Sequence, residues 1–205
     1  MGTEVLATRG SEGTLLLVAS PPGLSPIGAV LATKNALGVL GKEYFTHSAG
    51  TCGLSTLSAP EDFARAYREA REVYLCLAGA QSEAPSGLRI LAADDLGPAR
   101  LFIANTPGPA VERYAKEILG GLLDGESSSQ ELLSTLETFL SAGRSIRASA
   151  AALGLHENTV RLRLERIQRA TGLDVAHDSN HQLSAQTALL ILRLQGHPSL
   201  PPFGP

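Results

Sequence analysis

The segment Ser145-Ile-Arg-Ala-Ser-Ala-Ala-Ala-Leu-Gly-Leu-His-Glu-Asn-Thr-Val-Arg-Leu-Arg-Leu-Glu-Arg-Ile167 constrains the chain more than any other stretch, because its spacing predicts two short helices joined by a tight turn. Ala150 is small enough to let the helices approach closely, and Gly154 stands where the first must stop and the chain turn sharply. Leu153, Leu155, Val160, Leu164 and Ile167 supply the apolar side, the last three at i, i+4, i+7 on one helical stripe. The other side carries Asn158, Thr159, Arg161, Arg163 and Arg166, donors suited to base edges and phosphates. One face packs and the other reads, which is the pattern of a helix-turn-helix DNA-binding element.

Charge agrees locally. Residues 144–169 hold six arginines against Glu157 and Glu165, a local charge of +4 in a chain whose net charge is −3. The basic patch is confined, so a long-range electrostatic funnel is not expected. Nucleic-acid affinity must come from this short stretch and from whatever doubles it by dimerisation.

Residues 144–195 resemble the C-terminal DNA-binding domain of the PucR/CdaR-type bacterial transcriptional regulators. The likeness rests on Ala148-Ser149-Ala150, on Leu153 through Arg161, on Arg163-Leu164 and Arg166-Ile167, on Thr171-Gly172-Leu173-Asp174 closing the second helix, and on the apolar helix Leu183 to Leu194. This chain departs at Arg147, where a small hydroxyl is usual, at Glu157, where proline is common, and at Leu162, where tyrosine is frequent. The resemblance implies major-groove docking to double-stranded DNA by helix 157–170. Asn158 and Thr159 would enter first, Arg161 and His156 would approach base edges or phosphates, and Arg147, Arg163 and Arg166 would clamp the backbone. Glu157 suits a helix N-terminus but is expected to point away from the phosphates. A homodimer on an inverted or direct repeat is implied.

At 205 residues, with 43% hydrophobic and 18% charged, the chain can bury one or two ordinary cores. No apolar run approaches the roughly 20 residues that span a bilayer, and Met-Gly-Thr-Glu-Val-Leu-Ala is not the start of a signal peptide. No membrane association is expected, and the cytoplasm is the default location. Cys52 and Cys76 are isolated among apolar residues and read as packed thiols rather than a bridge, a metal site or a nucleophile. His177 and His181 have a metal-compatible spacing. Asp178, Ser179 and Asn180 between them favour a turn, and no Cys or Glu lies near, so both read as polar loop residues. No metal and no cofactor is expected.

The first 124 residues read as mixed α/β around one sheet. A hairpin is predicted from a strand near Glu4 to Thr8, a turn, and a buried strand through Leu15-Leu16-Leu17-Val18 to Ala19. Ser25-Pro26 opens a helix with Ile27, Val30, Leu31, Leu37 and Leu40 on one face, ended by Gly41. A strand at Thr51 to Ser55 precedes a helix with a capping box at Ser58 to Glu61. Leu88 to Leu91 and Arg100 to Ala104 read as strands, and Pro109 to Leu119 as a helix. This order, with Thr51-Cys-Gly-Leu-Ser55 and the helix Phe63 to Arg71, is similar to the GGDEF-like middle domain of the same regulators. In the related diguanylate cyclases the hairpin turn bears the catalytic signature, whereas here it reads Arg9-Gly10-Ser11-Glu12-Gly13. A lone Glu12 cannot replace paired metal carboxylates, so no catalytic residue and no enzymatic activity are expected.

Gly125 to Ser129 reads as a hinge, and Ser128 to Glu131 as a capping box for a helix carrying Leu132, Leu133, Leu136, Phe139 and Leu140. The spare apolar surface of this helix and of Leu183 to Leu194 either completes a small core or forms a dimer face. The expected organisation is therefore a catalytically degenerate GGDEF-like α/β domain over residues 1–124, an all-α helix-turn-helix domain over 125–195, and a proline-rich tail over 196–205 for which disorder is expected. Family members carry an upstream sensory domain through which a small-molecule effector acts. With the chain starting almost directly on a strand, a truncated or shortened member is expected. The rival readings are a nucleotide-binding or signalling protein based on the first domain, and an interaction module whose basic helix meets an acidic partner.

Overall fold

The computed structural model describes residues 4–11, 13–78, 86–103, 106 and 108–200. They fall into two compact units, one of residues 4–78 with 86–100 and one of residues 101–200.

The first unit is mixed α/β. Strands β1 (Val5–Gly10) and β2 (Gly13–Val18) form an antiparallel hairpin in register Val5↔Val18 to Gly10↔Gly13. Strand β2 was expected to be buried, but Leu16 and Leu17 are 41% and 48% exposed, because this hairpin is a sheet of its own. Helix α1 (Pro26–Tyr44) starts as predicted, Ser25 Oγ accepting from Gly28 N at 3.1 Å with Pro26 in the first turn. It does not stop at Gly41. That glycine faces the next sheet, and a Cβ there would lie 2.7 Å from Leu88 Cβ, so its bareness serves close packing rather than termination.

Strand β3 (Ala49–Leu54) pairs in parallel with β4 (Gly87–Ala92), and helix α2 (Phe63–Ala78) connects them. Gly53 lets α2 lie directly on β3: a Cβ would come 2.4 Å from Ala70 O. The expected capping box at Ser58 does not form, since a 3-10 turn at Pro60–Asp62 precedes α2 and its cap position is Ala59. The single sheet of the sequence reading is thus, among the described residues, two separate two-stranded sheets. The expected strand Arg100 to Ala104 is also corrected: after α3 (Ala93–Leu96), residues Arg100–Ile103 form a helical turn, α4, and Ala104 lies outside the described residues. A short apolar run carries no periodicity that separates strand from helix.

Val73, Cys76, Leu77, Ile90, Leu91 and Leu96 are buried in this unit. Ion pairs brace it. Lys34 Nζ meets Asp95 Oδ2 at 2.8 Å, and Asp95 also accepts from Ala92 N. Buried Glu69 pairs with Arg100 and accepts from Thr56 N at 2.8 Å. Burial and the neighbouring Glu72 carboxylate push the Cys76 thiol up to about 11, and burial raises Cys52, which fits packed and unreactive thiols.

The second unit is helical: α5 (Gly108–Leu119), α6 (Ser127–Ser141), α7 (Ile146–Leu153), α8 (Glu157–Thr171) and α9 (Ser179–Leu194). Leu119, Leu133, Leu136, Phe139, Val160, Ile167 and Ala188 share one core. The units part at residue 100, upstream of the expected junction at 124/125, because α5 packs on α9 and Ala115, Leu119 and Leu122 belong to the helical core. Gly125 and Glu126 accordingly lead into α6 inside this unit, and Ser127 to Ser129 form its first turn. The predicted box at Ser128 is replaced: α6 begins at Ser127, and the Asp124 carboxylate accepts from Glu126 N at 3.1 Å. Of the proline-rich tail, Gly196 to Leu200 is ordered against the core, with His197 N bonded to Leu192 O at 3.0 Å and Leu200 buried. Residues 201–205 lie outside the described residues.

Candidate nucleic-acid interface

Helices α7 and α8 are set by their ends. Ser145 caps α7, its Oγ accepting from Ala148 N at 3.2 Å. Gly154 ends it in the left-handed region at φ 65°, with Leu155 N returning to Ala150 O at 2.9 Å. Buried Ser149 donates to Ser145 O at 2.7 Å, and buried Ala150 leaves room for the following helix. His156 caps α8, Nδ1 accepting from Asn158 N at 3.2 Å, so the ring presents Nε2 outward as its donor. Gly172 closes α8 at φ 77°.

The burial of α8 divides its residues by face. Val160, Leu164 and Ile167 are buried in the helical core. Asn158, Leu162, Glu165 and Arg169 are exposed and follow i, i+4, i+7, i+11 along the opposite stripe. Arg161 and Arg166 flank this stripe, and His156 and Arg147 are exposed nearby in the sequence of the motif. Thr159 is half-buried.

Three predicted contacts, Asn158, Arg161 and Arg163, are tied within the protein. Arg161 donates to Asn158 Oδ1 at 3.1 Å and to Glu157 Oε2 at 3.4 Å. Glu157 is therefore neutralised by its neighbour one turn on, so its carboxylate does not stand bare at the helix start. Arg163 turns inward: it pairs with Glu131 and donates to Thr135 Oγ1 at 3.2 Å, both on α6, and its side chain is only 18% exposed. Sequence reasoning missed Glu131 and Thr135 as its partners, 32 and 28 residues away. Arg147 and Arg166 have no ion-pair partner among the described residues. Arg166 and Arg169 line an open cavity of about 350 Å³ with Asp124, Ser128 and Ala170.

The connection to α9 is corrected as well. Asp178 to Asn180 do not remain in a loop; Asp178 caps α9, accepting from Asn180 N at 2.8 Å and His181 N at 3.1 Å, which places His181 on the helix. Those N–H groups hold the Asp178 carboxyl below its usual range, as the Ser129 hydroxyl and Glu126 N–H do for Asp124. His181 Nδ1 accepts from Asp174 N at 3.1 Å and His177 Nδ1 lies 3.0 Å from Asp174 Oδ1. Among the described residues no three His, Cys, Asp or Glu groups converge on a point that could hold a metal. No described helix is long and apolar enough to cross a membrane.

Residues 132–191, which run from α6 through α9, match the family described as the PucR C-terminal helix-turn-helix domain. This is the region whose caps and faces are given above, and the chain carries a domain of that type. A stretch of 62 residues is 40% identical to an uncharacterized protein in the pkwA 5' region of Thermomonospora curvata; it makes up 30% of this chain and 34% of that protein. The chain thus spans about a third of that relative's length. A solved structure, the regulator of polyketide synthase expression from Bifidobacterium adolescentis, is 24% identical with a TM-score of 0.40, over 94% of this chain and 73% of that one.

Proposed function

We propose that the chain is a sequence-specific DNA-binding transcriptional regulator that acts as a cytoplasmic homodimer and reads the major groove of double-stranded DNA with helix 157–170. The observation that carries this reading is the division of α8 into a buried apolar face and an exposed face of Asn158, Arg161, Arg166 and Arg169, on a helix capped at both ends. A helix so presented fits a groove about 12 Å wide, and its N-terminal turn supplies the residues that reach base edges. Asn158, Thr159 and Arg161 are the proposed readers, with His156 beside them. Arg147 and Arg166, which form no ion pair among the described residues, are the proposed phosphate contacts. Arg163 contributes instead by fixing α8 to α6, and reaches a phosphate only by leaving Glu131.

Residues 125–195 are the proposed DNA-binding domain, with α5 completing its core. The α/β region is proposed as a GGDEF-like module without cyclase activity, on the strength of its hairpin, helix and βαβ order and of the turn around Gly10 and Ser11. A small-molecule effector would act through a sensory domain upstream. Incubation with GTP and magnesium is expected to yield no cyclic dinucleotide.

The test is selection from a random duplex library followed by fluorescence anisotropy. An enriched site bound at least a hundredfold more tightly than scrambled duplex supports the reading, since specific binding exceeds nonspecific by about 10³ or more in typical regulators. Equal binding to duplex DNA and polyglutamate would favour an acidic protein partner.

A further inference from the structure

Within the helical unit the large apolar side chains are almost all inside. Among its described residues Leu162 and Leu183 are the exposed ones, and Leu162 is 53% exposed. Its position is unusual for a leucine: it sits one turn after Asn158 on the outward stripe of α8, followed by Glu165 and Arg169, and beside Arg161 and Arg166. The core face of the same helix is already filled by Val160, Leu164 and Ile167, so Leu162 is surplus to packing.

We infer that Leu162 is a specificity-determining residue that reads the C5-methyl group of a thymine in the major groove. The inference rests on the DNA-reading role proposed above. On the major-groove edges of the four base pairs most exposed functions are hydrogen-bond donors and acceptors, and the thymine methyl is the one alkyl group, where cytosine has only a C5–H. A leucine has no donor or acceptor to offer the polar edges, and leaving one there unpaired is unfavourable. Burying its methyl groups against the thymine methyl is favourable. Asn158, one turn earlier, suits adenine through its amide, so the pair Asn158 and Leu162 is equipped for an A·T-containing step rather than a run of G·C.

The experiment uses the full chain and the duplex site enriched from a random library, with each thymine in turn replaced by deoxyuridine, which removes only the methyl group. For the unaltered protein, replacement at one thymine in each half-site is expected to weaken binding about fourfold, the effect of one buried methyl-sized group. Leu162→Ala is expected to bind the parent and deoxyuridine duplexes equally at that position, and Leu162→Met to restore a preference. Circular dichroism of the variants should match the parent, because the side chain is outside the core. No deoxyuridine effect at any position, or an undiminished effect in Leu162→Ala, would overturn the inference while leaving sequence-specific DNA binding intact. Failure of the library to enrich any site would overturn both.

Discussion

Arg163 of α8 and Glu131 of α6 form an ion pair, and the same guanidinium donates to Thr135 Oγ1 at 3.2 Å. An arginine on α8 is thereby a strut between two helices. Glu131 is 60% exposed, so the pair is screened and worth little by itself, and the bond to buried Thr135 adds to it. Arg163→Ala is expected to cost about 1 kcal/mol in urea unfolding and to leave the salt dependence of duplex binding unchanged. A salt slope lowered by about one at unchanged stability would mean that Arg163 abandons Glu131 for a phosphate.

The division at residue 100 predicts which fragment folds. Ala115, Leu119 and Leu122 are buried in the core of α6 to α9, and a Cβ on Gly121 would come 2.3 Å from Ala170 O at the end of α8. Deleting the segment removes two buried leucines and uncovers the core side chains packed against them, a loss of roughly 1.5–3 kcal/mol for each. Residues 101–205 are expected to unfold in one cooperative transition, whereas residues 125–205 should show a markedly lower urea midpoint or reduced helicity. Equal midpoints for the two fragments would place α5 outside the folding unit.

Acid should loosen the last turn. Burial lowers the pKa of His197 from its ordinary value of 6.5, and its Nδ1 accepts from Ser199 N at 3.3 Å. As pH falls, the unfolded ring takes up a proton before the folded one does, so the unfolded state binds more protons and stability rises with pH through this window. The contribution of the neutral ring is fully present above about pH 6.5 and is lost progressively below it. Asp124 and Asp178, held below their ordinary 3.8, add a second loss of the same sign at lower pH. Urea midpoints from pH 7.5 to 5.5 should decline for the parent and flatten in His197→Gln; parallel declines would remove His197 as the cause.

What was legible in the sequence was mostly local. Ser25 as a cap, Gly154 as the turn, Gly172 as the end of α8 and the stripe Val160, Leu164, Ile167 all depend on residues a few positions apart, and the structure has them so. The misreadings have longer reach. Gly41 looked like a stop because its true neighbour, Leu88, is distant in sequence, and Arg163 looked free because Glu131 lies on another helix. Helix α5 reads as part of the first domain because the glycine and serine residues after it resemble a hinge, while the burial of Leu119 against the later helices leaves no mark on its own segment. The exposure of Leu162 was foreseeable from the helical stripe, but an apolar residue on a polar face acquires meaning only once the core face is known to be full.

The most direct test of base reading by α8 compares Asn158, in its first turn, with Arg166, two turns further on. Asn158→Ala and Arg166→Ala are titrated by fluorescence anisotropy against the selected duplex and a scrambled one at several salt concentrations. Asn158→Ala should cost roughly 1–3 kcal/mol on the selected duplex and little on the scrambled one, while Arg166→Ala should weaken both alike and lower the salt slope by about one. Equal losses for the two variants on both duplexes would show that α8 is a nonspecific clamp and contradict its role as the reading helix.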